Sequence, residues 1–151
     1  KNINLGHYNN FFKKKYYEPD LAFKLAPYLS LIATSSIDIS DGLLQDLQHI
    51  CKNSKCGALI YLEKLPLSSQ FKKILFKKKI NLQSVFSKGD DYQVLFTAKS
   101  KLRSKIKKLS KKLNSKITRI GSITKNMDVL FENNSKKFKI NKLNIGYTHT
   151  F

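Results

Sequence analysis

Ile-Asp-Ile-Ser-Asp-Gly, the stretch from Ile37 to Gly42, decides the fold, because it ends an apolar, β-branched run and opens an amphipathic helix. Side chains alternate between the two faces of a strand, so Asp38 and Ser40 are expected to share one face while the isoleucines take the other. At Asp41 the chain is expected to turn, and the glycine after it permits a close approach of the backbone. The sequence therefore predicts two carboxylates and one hydroxyl group at a junction between a strand and a helix.

The chemistry of that junction indicates a phosphorylated ligand. Free backbone N–H groups at a helix start and the positive end of the helix dipole favour anions. The carboxylates of Asp38 and Asp41 favour a hard cation such as Mg²⁺. Phosphate together with Mg²⁺ makes a nucleoside triphosphate the first ligand to consider. By itself the motif is a weak signal, because Ser and Asp are ordinary helix caps and Asp-Gly is an ordinary turn.

A second acidic cluster lies at 88–92, where Lys-Gly-Asp-Asp-Tyr directly precedes a hydrophobic strand. Adjacent carboxylates are costly to group unless a cation or a hydrogen-bond donor meets them, although a surface turn would also account for them. The chain has no glycine-rich loop ending in Lys-Ser or Lys-Thr, no kinase catalytic loop, and no order of Ser, His and Asp that suggests a hydrolase. Its histidines are scattered along the sequence: His7, His49 and His149.

The length and composition of the chain limit the classes of protein to which it can belong. The 151 residues are enough for one domain with a real core. The formal charge is +19, but the basic residues are 27 Lys and only 2 Arg, and recognition of bases and phosphates favours the planar fork of Arg. Lys, Ile and Asn make up 53 residues, as an AT-rich genome would encode. Most of the charge is therefore interpreted as compositional drift onto solvated faces, with a surface for polyanions as the alternative. No apolar run approaches the roughly 18 residues of a membrane span, so no membrane partner is expected.

Hydrophobic periodicity predicts alternating helices and strands. A short helix within 1–17 is followed by a second at 20–29, which Pro27 interrupts. The strongest helix, 41–53, carries its apolar stripe at i, i+3, i+4, i+7 and i+8 and is stopped by Gly57. The other predicted elements are strands at 31–39, 57–62, 92–98 and 116–124, a basic helix at 69–79, a helix at 101–114, and a hairpin of 127–132 with 136–140 around Asn133-Asn134.

This order of elements predicts an α/β or α+β fold with helices packed on a mixed sheet. We expect residues 1–30 to form a helical leading segment and residues 31–151 to form the mixed-sheet core. Because the chain begins with Lys1 rather than Met, we also expect it to begin inside a longer protein. No further Cys and too few His residues lie near Cys51 and Cys56 to complete a zinc set, so the two are expected to be reduced thiols of a cytoplasmic protein.

Four segments, taken in order, resemble the thiamine-monophosphate kinase family. Their order makes the match far more specific than any one of them. The resemblance runs from about Phe11 to the end of the chain and covers the C-terminal half of that enzyme. The segments are 37–50, Ile-Asp-Ile-Ser-Asp-Gly-Leu-Leu-Gln-Asp-Leu-Gln-His-Ile; 89–97, Gly-Asp-Asp-Tyr-Gln-Val-Leu-Phe-Thr; 117–124, Ile-Thr-Arg-Ile-Gly-Ser-Ile-Thr; and 146–151, Gly-Tyr-Thr-His-Thr-Phe.

The resemblance implies an ATP-dependent phosphotransferase that passes the γ-phosphate of ATP directly to thiamine monophosphate and so makes thiamine diphosphate. It also implies kinship with aminoimidazole ribonucleotide synthetase, selenophosphate synthetase and a hydrogenase maturation protein. These enzymes share a dimeric, two-domain, ATP-binding fold whose second half is a three-layer α/β domain. The N-terminal metal- and ATP-binding domain would then be absent from this chain, which we expect to fold but not to turn over by itself.

The same resemblance implies roles for particular residues. Asp38 and Asp41 would hold Mg²⁺ and Ser40 would touch ATP. Asp90 would contact the thiamine substrate, and the aromatic ring of Tyr147 would lie against it. No residue is expected to act as a nucleophile or a base. Phosphoryl transfer needs positioning and charge neutralisation, and the acceptor phosphate is already ionised.

The sequence departs from the family pattern in two places. Gln93 stands where the family usually has Glu, which removes any role for a charge there. Thr148 replaces an Asp and Thr150 is inserted, which leaves the register around Tyr147 open. Two other functions stay open as alternatives. One is a sister synthetase of the same superfamily with a different phosphate acceptor. The other is a basic nucleic-acid-binding module, against which the scarcity of Arg already counts.

Overall fold

A computed structural model of the chain describes residues 6–78, 85–86 and 93–139. Within that part of the chain no helix has both the length and the apolar character needed to cross a membrane. Short 3₁₀ turns lie at Gly6–Tyr8, Leu62–Lys64 and Ser100–Leu102. The helices are α1 (Asn9–Tyr17), α2 (Ala26–Ile32), α3 (Leu43–Asn53), α4 (Ser69–Lys78) and α5 (Arg103–Lys112). The strands are β1 (Ser35–Asp38), β2 (Gly57–Tyr61), β3 (Val94–Thr97), β4 (Gly121–Thr124), β5 (Val129–Asn133) and β6 (Lys136–Phe138).

The described strands form two sheets. β1 and β3 pair antiparallel, with Ile37 opposite Leu95 and Asp38 opposite Val94. The second sheet has the order β4-β2-β5-β6, in which β2 is antiparallel to β4 and parallel to β5. β5 and β6 form the expected antiparallel hairpin. The prediction of helices on a mixed sheet is confirmed.

The main core lies between α3 and the strands. The apolar stripe predicted for α3 is buried, and Leu44 keeps only 1% of its surface exposed. The stripe packs against Ala58 and Ile60 of β2 and against Phe131 of β5, which is fully buried. Burying an aliphatic or aromatic side chain of this size contributes about 1.5–3 kcal/mol. The core therefore holds α3 firmly against both sheets.

A second core lies on the other face of β3. Successive side chains of a strand point to opposite faces. Accordingly, Leu95 joins the core of α3, while Phe96 packs against the cluster of Leu25, Ile32 and Leu109. That cluster belongs to α2, the segment before it and α5. The pair of strands β1 and β3 is thus layered between α3 on one side and α2 with α5 on the other.

The region before β1 differs from the sequence prediction. The expected helix at 20–29 is instead α2, which begins at Ala26 and has Pro27 in its first turn. Proline is tolerated there because its missing N–H would have no helical partner anyway. The predicted strand at 31–39 shrinks to four residues, because Leu31 and Ile32 belong to the helix. A short apolar run does not by itself distinguish a buried strand from a buried helical turn.

Two further boundaries also differ. Gly57 does not stop α3, which ends at Asn53, but begins β2. A Cβ atom at Gly57 would lie 1.8 Å from the backbone oxygen of Asn126, so the close approach of β2 to the loop before β5 requires glycine. Of the predicted strand at 116–124, only Gly121–Thr124 is a strand.

Candidate functional site

The candidate site lies where β1 ends and α3 begins. Ile37 and Ile39 are partly buried and pack against the main core. Asp38 and Ser40 are exposed on the opposite face. The alternation predicted for this segment is therefore confirmed, because the two apolar side chains face inward and the two polar ones share the outer face.

The loop between β1 and α3 is held by Asp46, a residue of the first turns of α3. One oxygen of its carboxylate, Oδ2, accepts hydrogen bonds from the backbone N–H groups of Ser40, Asp41 and Gly42, at 3.1, 3.3 and 3.2 Å. A hydrogen bond to a charged group contributes about 1.5–3 kcal/mol, net of the bonds to water that it replaces. The Asp46 side chain therefore draws three consecutive peptide units toward the helix.

Asp46 is 2% exposed and is the buried polar side chain of the described core. Burial raises the pKa of its carboxyl group above the usual value, and the nearby charge of Asp41 acts in the same direction. The hydrogen bonds from the three N–H groups lower the pKa and oppose part of that shift. The carboxylate thus lies in a site where its charge is costly, and the loop backbone offsets the cost.

The turn itself depends on Gly42. Its backbone has φ +118° and ψ 148°, a combination that side chains of L-residues do not adopt without strain. This conformation lets the three N–H groups converge on one oxygen. Gly42 therefore has a conformational role here in addition to the close approach expected from the sequence.

Asp41 is half-buried, and its Oδ2 accepts a hydrogen bond of 3.1 Å from Nε2 of Gln45. Asp38 is exposed. Within the described part of the chain, ion pairs join Lys14 to Glu18, Lys15 to Asp20, and Lys139 to Asp128. None of them includes Asp38 or Asp41, so both carboxylates remain without a neutralising cation from the described residues.

The start of β3 lies beside the loop. The N–H group of Ile39 donates a hydrogen bond of 2.8 Å to the carbonyl oxygen of Gln93. The side-chain amide of Gln93 donates to the carbonyl oxygen of Asp20 at 2.8 Å. A glutamate could not donate this bond, so the departure from the family pattern at this position has a structural use. The remaining predicted residues, Asp90 with its neighbour Asp91, and Tyr147, lie outside the described residues.

The backbone N–H groups just before α3 are not available to an anion, because those of residues 40–42 are taken by Asp46. The sequence expectation concerned the N–H groups of the first turn of α3, which begins at Leu43, and it stays a prediction. An anion at this loop would therefore meet the hydroxyl group of Ser40 and not these three N–H groups. The reason is local: a buried carboxylate one turn into the helix already supplies the negative charge that the N–H groups attract.

Sequence reasoning missed Asp46, although the sequence carries a signal for it. Asp46 lies three residues after Leu43 and four before Ile50, so helical geometry places it on the apolar stripe of α3. Acidic residues are rarely buried on such a face unless a partner meets them. An acid within the stripe could therefore have been recognised as an internal anchor.

The described residues do not complete a metal site by themselves. Across residues 6–78, 85–86 and 93–139, no three side chains of His, Cys, Asp or Glu are grouped so that they could share a metal ion. An open cavity of about 390 Å³ lies elsewhere, between α2 and α5. It has an apolar floor and a rim of lysines and includes no residue of the loop. Its lining is Tyr28, Leu31, Ile32, Leu109, Lys105, Lys108 and Lys112.

The fold defines the class of the protein as an α/β domain of the aminoimidazole ribonucleotide synthetase-like type. The hydrogenase maturation protein HypE of E. coli superposes with a TM-score of 0.64 over 78% of this chain and 39% of that chain. At 11% sequence identity this likeness concerns the fold alone. No protein-family model matches the sequence.

Other known proteins are more similar to this chain than HypE is, and they indicate one family within this class of fold. A thiamine-monophosphate kinase from Stenotrophomonas maltophilia K279a gives a TM-score of 0.76 at 27% identity, over 89% of this chain and 42% of that chain. The structure of AaThiL complexed with AMPPCP and TMP gives a TM-score of 0.76 at 25% identity, over 99% of this chain and 44% of that chain. The thiamine-monophosphate kinase of Buchnera aphidicola subsp. Acyrthosiphon pisum is 38% identical over 127 residues, which are 82% of this chain and 37% of that protein.

The chain belongs to the thiamine-monophosphate kinase family. It spans well under half of the length of the relatives that it matches. The family predicted from the four ordered sequence segments is therefore confirmed.

Proposed function

We propose that this chain is the C-terminal part of an enzyme that uses ATP to phosphorylate thiamine monophosphate. The observation that carries the proposal is the loop at the end of β1. Two carboxylates that form no ion pair with a described residue, Asp38 and Asp41, flank an exposed hydroxyl group on a backbone held in place by hydrogen bonds. The family to which the chain belongs supplies the reaction.

The donor set of the loop fits Mg²⁺. Asp38, Ser40 and Asp41 offer only oxygen atoms, and Mg²⁺ prefers oxygen ligands in octahedral geometry. Two carboxylates fill a part of such a shell, and phosphate oxygens, water and acids from outside the described residues would fill the rest. When bound, the ion neutralises charge on the phosphates of ATP. We assign Asp38 and Asp41 to the metal and the hydroxyl group of Ser40 to ATP.

Transfer of the phosphoryl group requires little acid–base chemistry from the protein. The bond between the γ-phosphorus and the β–γ bridging oxygen breaks, ADP leaves with the electron pair, and an oxygen of the acceptor phosphate forms the new bond to phosphorus. The acceptor phosphate is already ionised, so no base must remove a proton. The residues of this chain orient the reactants, and we assign none of them as nucleophile or base.

The thiamine substrate is assigned to Asp90 and Tyr147 by the match to the family pattern. The position of β3 supports the first assignment. The carbonyl oxygen of Gln93 accepts from Ile39, and Asp90 precedes Gln93 by three residues in the sequence. The assignment of Tyr147 is supported by the sequence match alone. Thr148 and the inserted Thr150 differ from the family pattern and leave the alignment of this segment open by one residue.

The wider organisation is also part of the proposal. We assign residues 1–30 and 31–151 to one domain of a two-domain, homodimeric enzyme whose N-terminal domain supplies further acids and much of the nucleotide pocket. The 151-residue chain should therefore fold but show no turnover. A cytoplasmic location agrees with Cys51 and Cys56, which are both free thiols.

An assay of the full-length protein tests the proposal. With Mg²⁺ and ATP, thiamine monophosphate should be consumed, while selenide and formylglycinamidine ribotide, the acceptors of sister enzymes, should not. Chelation of Mg²⁺ should stop the reaction. Turnover of a sister acceptor in place of thiamine monophosphate would contradict the proposal, and so would activity of the isolated chain.

The substrate assignment has its own test. Asp90→Ala should raise the KM for thiamine monophosphate by about tenfold while the KM for ATP changes little, because only the former loses a contact. Asp128→Ala is a suitable control, since it removes an exposed carboxylate that forms an ion pair with Lys139. Equal losses for both substrates would count against a contact with thiamine monophosphate.

A further inference from the structure

The loop that carries Ser40 and Asp41 is fixed from two sides. On the side of the strand, the N–H group of Ile39 donates to the carbonyl oxygen of Gln93 at 2.8 Å. On the side of the helix, the N–H groups of residues 40–42 all donate to Oδ2 of Asp46. Four consecutive peptide units are thus tied to β3 and to α3, so the backbone of the loop has little freedom to move.

Asp46 is anchored well enough to impose this geometry. It is 2% exposed, and its own N–H group donates to the carbonyl oxygen of Gly42 at 3.1 Å. The flanking residues of α3, among them Leu43 and Leu47, belong to the main core. A carboxylate on a helix that is packed in this way keeps its place when the loop is perturbed, whereas an exposed side chain would follow the loop.

An ordinary helix cap does not account for the arrangement. The residue that caps α3, Gly42, has no side chain to make a cap bond. Asp46 instead lies four residues inside the helix and reaches back past its start. Capping satisfies one or two N–H groups of the first turn, but here the three N–H groups belong to the residues that precede the helix. The bonds thus organise the loop that leads into the helix.

We propose that Asp46 is a positioning residue for the metal and nucleotide site. By holding the backbone of residues 40–42, it sets the directions in which the Asp41 carboxylate and the Ser40 hydroxyl leave the chain relative to Asp38. Its own oxygen is buried and bonded to three donors, so it acts through these side chains and not as a ligand. This inference rests on the proposed function, because it concerns the same divalent cation and nucleotide.

Two substitutions separate positioning from the charge of Asp46. Asp46→Asn keeps an oxygen of the same size at the same place, which can accept the three hydrogen bonds. Asp46→Ala removes the acceptor. Asp128→Ala is the matched control, because it deletes an acidic side chain at an exposed ion pair with Lys139, away from the loop.

The test uses two measurements on the full-length protein that contains this chain. Hydrogen exchange of the backbone amides of residues 40–42, without metal, reports whether the bonds to residue 46 exist. Binding of Mn²⁺ in the presence of AMPPCP reports whether the ligands are in place. Asp46→Ala should exchange these amides faster and bind Mn²⁺ about 10- to 100-fold more weakly, while Asp46→Asn and Asp128→Ala stay close to wild type on both measures.

Other results would overturn the inference. Asp46→Ala with fast amide exchange and wild-type affinity for Mn²⁺ would show that the site does not need the anchor. Asp46→Asn with protected amides and affinity as weak as that of Asp46→Ala would show that the charge, not the position, matters. If the Ala variant is unfolded, the Asn variant decides the question. Wild-type amide exchange and Mn²⁺ affinity would support the inference, and weak affinity with protected amides would overturn it. A wild-type protein that binds no Mn²⁺ with AMPPCP would instead overturn the proposed function, and the difference in amide exchange between the variants would still be measurable.

Discussion

The loop between β1 and α3 and the outer face of α5 are both highly charged, yet they are built differently. The loop carries Asp38 and Asp41, and its backbone is tied to Asp46 by three hydrogen bonds. The face of α5 carries five exposed lysines, none in an ion pair with a described residue. They are Lys105, Lys107, Lys108, Lys111 and Lys112.

The difference shows that the amount of charge does not indicate how firmly a surface is ordered. From Gln93 to Met127 the sequence has 11 basic residues and no acidic one, but the structure gives the lysines of α5 few fixed contacts, such as Lys112 at 5.9 Å from the ring centre of Tyr28. Exposed lysines keep most of their side-chain entropy and gain little from their surroundings. The loop has less charge, but its orientation is specified by bonds, which is what binding a particular ion requires.

The largest expected effect follows from Asp41→Asn. The variant keeps an oxygen for the hydrogen bond from Gln45 and keeps its own N–H group for Asp46, so the fold should be unchanged. Loss of one metal-ligand charge should cost about 3 kcal/mol in the transition state, or roughly 100-fold in kcat/KM with Mg²⁺ and ATP. Full-length variant and wild type should be compared by steady-state kinetics and thermal unfolding. Full activity would contradict the metal role, and so would simple unfolding.

The buried face of α3 should make the stability of the fold depend on pH through one thiol group. Burial raises the pKa of the Cys51 thiol from 9 to about 11, with a smaller contribution from Cys56. The unfolded chain therefore loses this proton first, so the stability contributed by the group is complete below pH 9 and is lost as the pH rises to about 11. The loss is roughly 3 kcal/mol.

The measurement is urea unfolding of the chain between pH 8 and 11, with Cys51→Ala as the control. All other ionisable side chains are the same in both proteins, so the difference between the two curves isolates the thiol. The wild type should lose stability more steeply than the variant. Parallel curves would mean that the thiol is more accessible to water than its 2% exposure indicates.

A smaller effect is expected for Gly42→Ala. At φ +118° a side chain introduces strain of about 1–3 kcal/mol, and relief of that strain would move the N–H groups away from Asp46. The free energy of unfolding should fall by that amount and the affinity for Mn²⁺ with AMPPCP should fall with it. Gly6→Ala is the control, because Gly6 has φ +56° and open space around its Cβ position. It should alter stability without altering metal affinity.

The smallest effect is expected on α5. Lys107→Gln and Lys111→Gln, alone or together, should change the free energy of unfolding by less than about 0.5 kcal/mol and leave turnover of the full-length enzyme unchanged. Binding of the chain to DNA or RNA should be weak at physiological salt. If the chain binds DNA or RNA tightly and these substitutions abolish that binding, the lysine face has a function. The lysine face would then be a binding surface, as the loop is proposed to be.

Particular residues show how far the sequence could be interpreted. The faces of Ile37, Asp38, Ile39 and Ser40 and the buried stripe of α3 were predicted correctly, because they follow from the periods of strand and helix. The start of α2 at Ala26 was missed, since proline can begin a helix as well as break one. The role of Asp46 was missed because its three partners come together only when the loop folds back on the helix.

The amino-acid sequence by itself determined most of the elements but not all of their bounds, and it determined the class of fold, the family and the residues that can offer oxygen to a metal. These properties depend on local periodicity and on the identity of side chains. Only the tertiary structure decided that the loop N–H groups are occupied, that the amide of Gln93 holds the carbonyl oxygen of Asp20, and that β3 lies beside the candidate ligands. Hydrogen bonds between distant or reversed segments depend on where the packed core places them, and no local pattern specifies that placement.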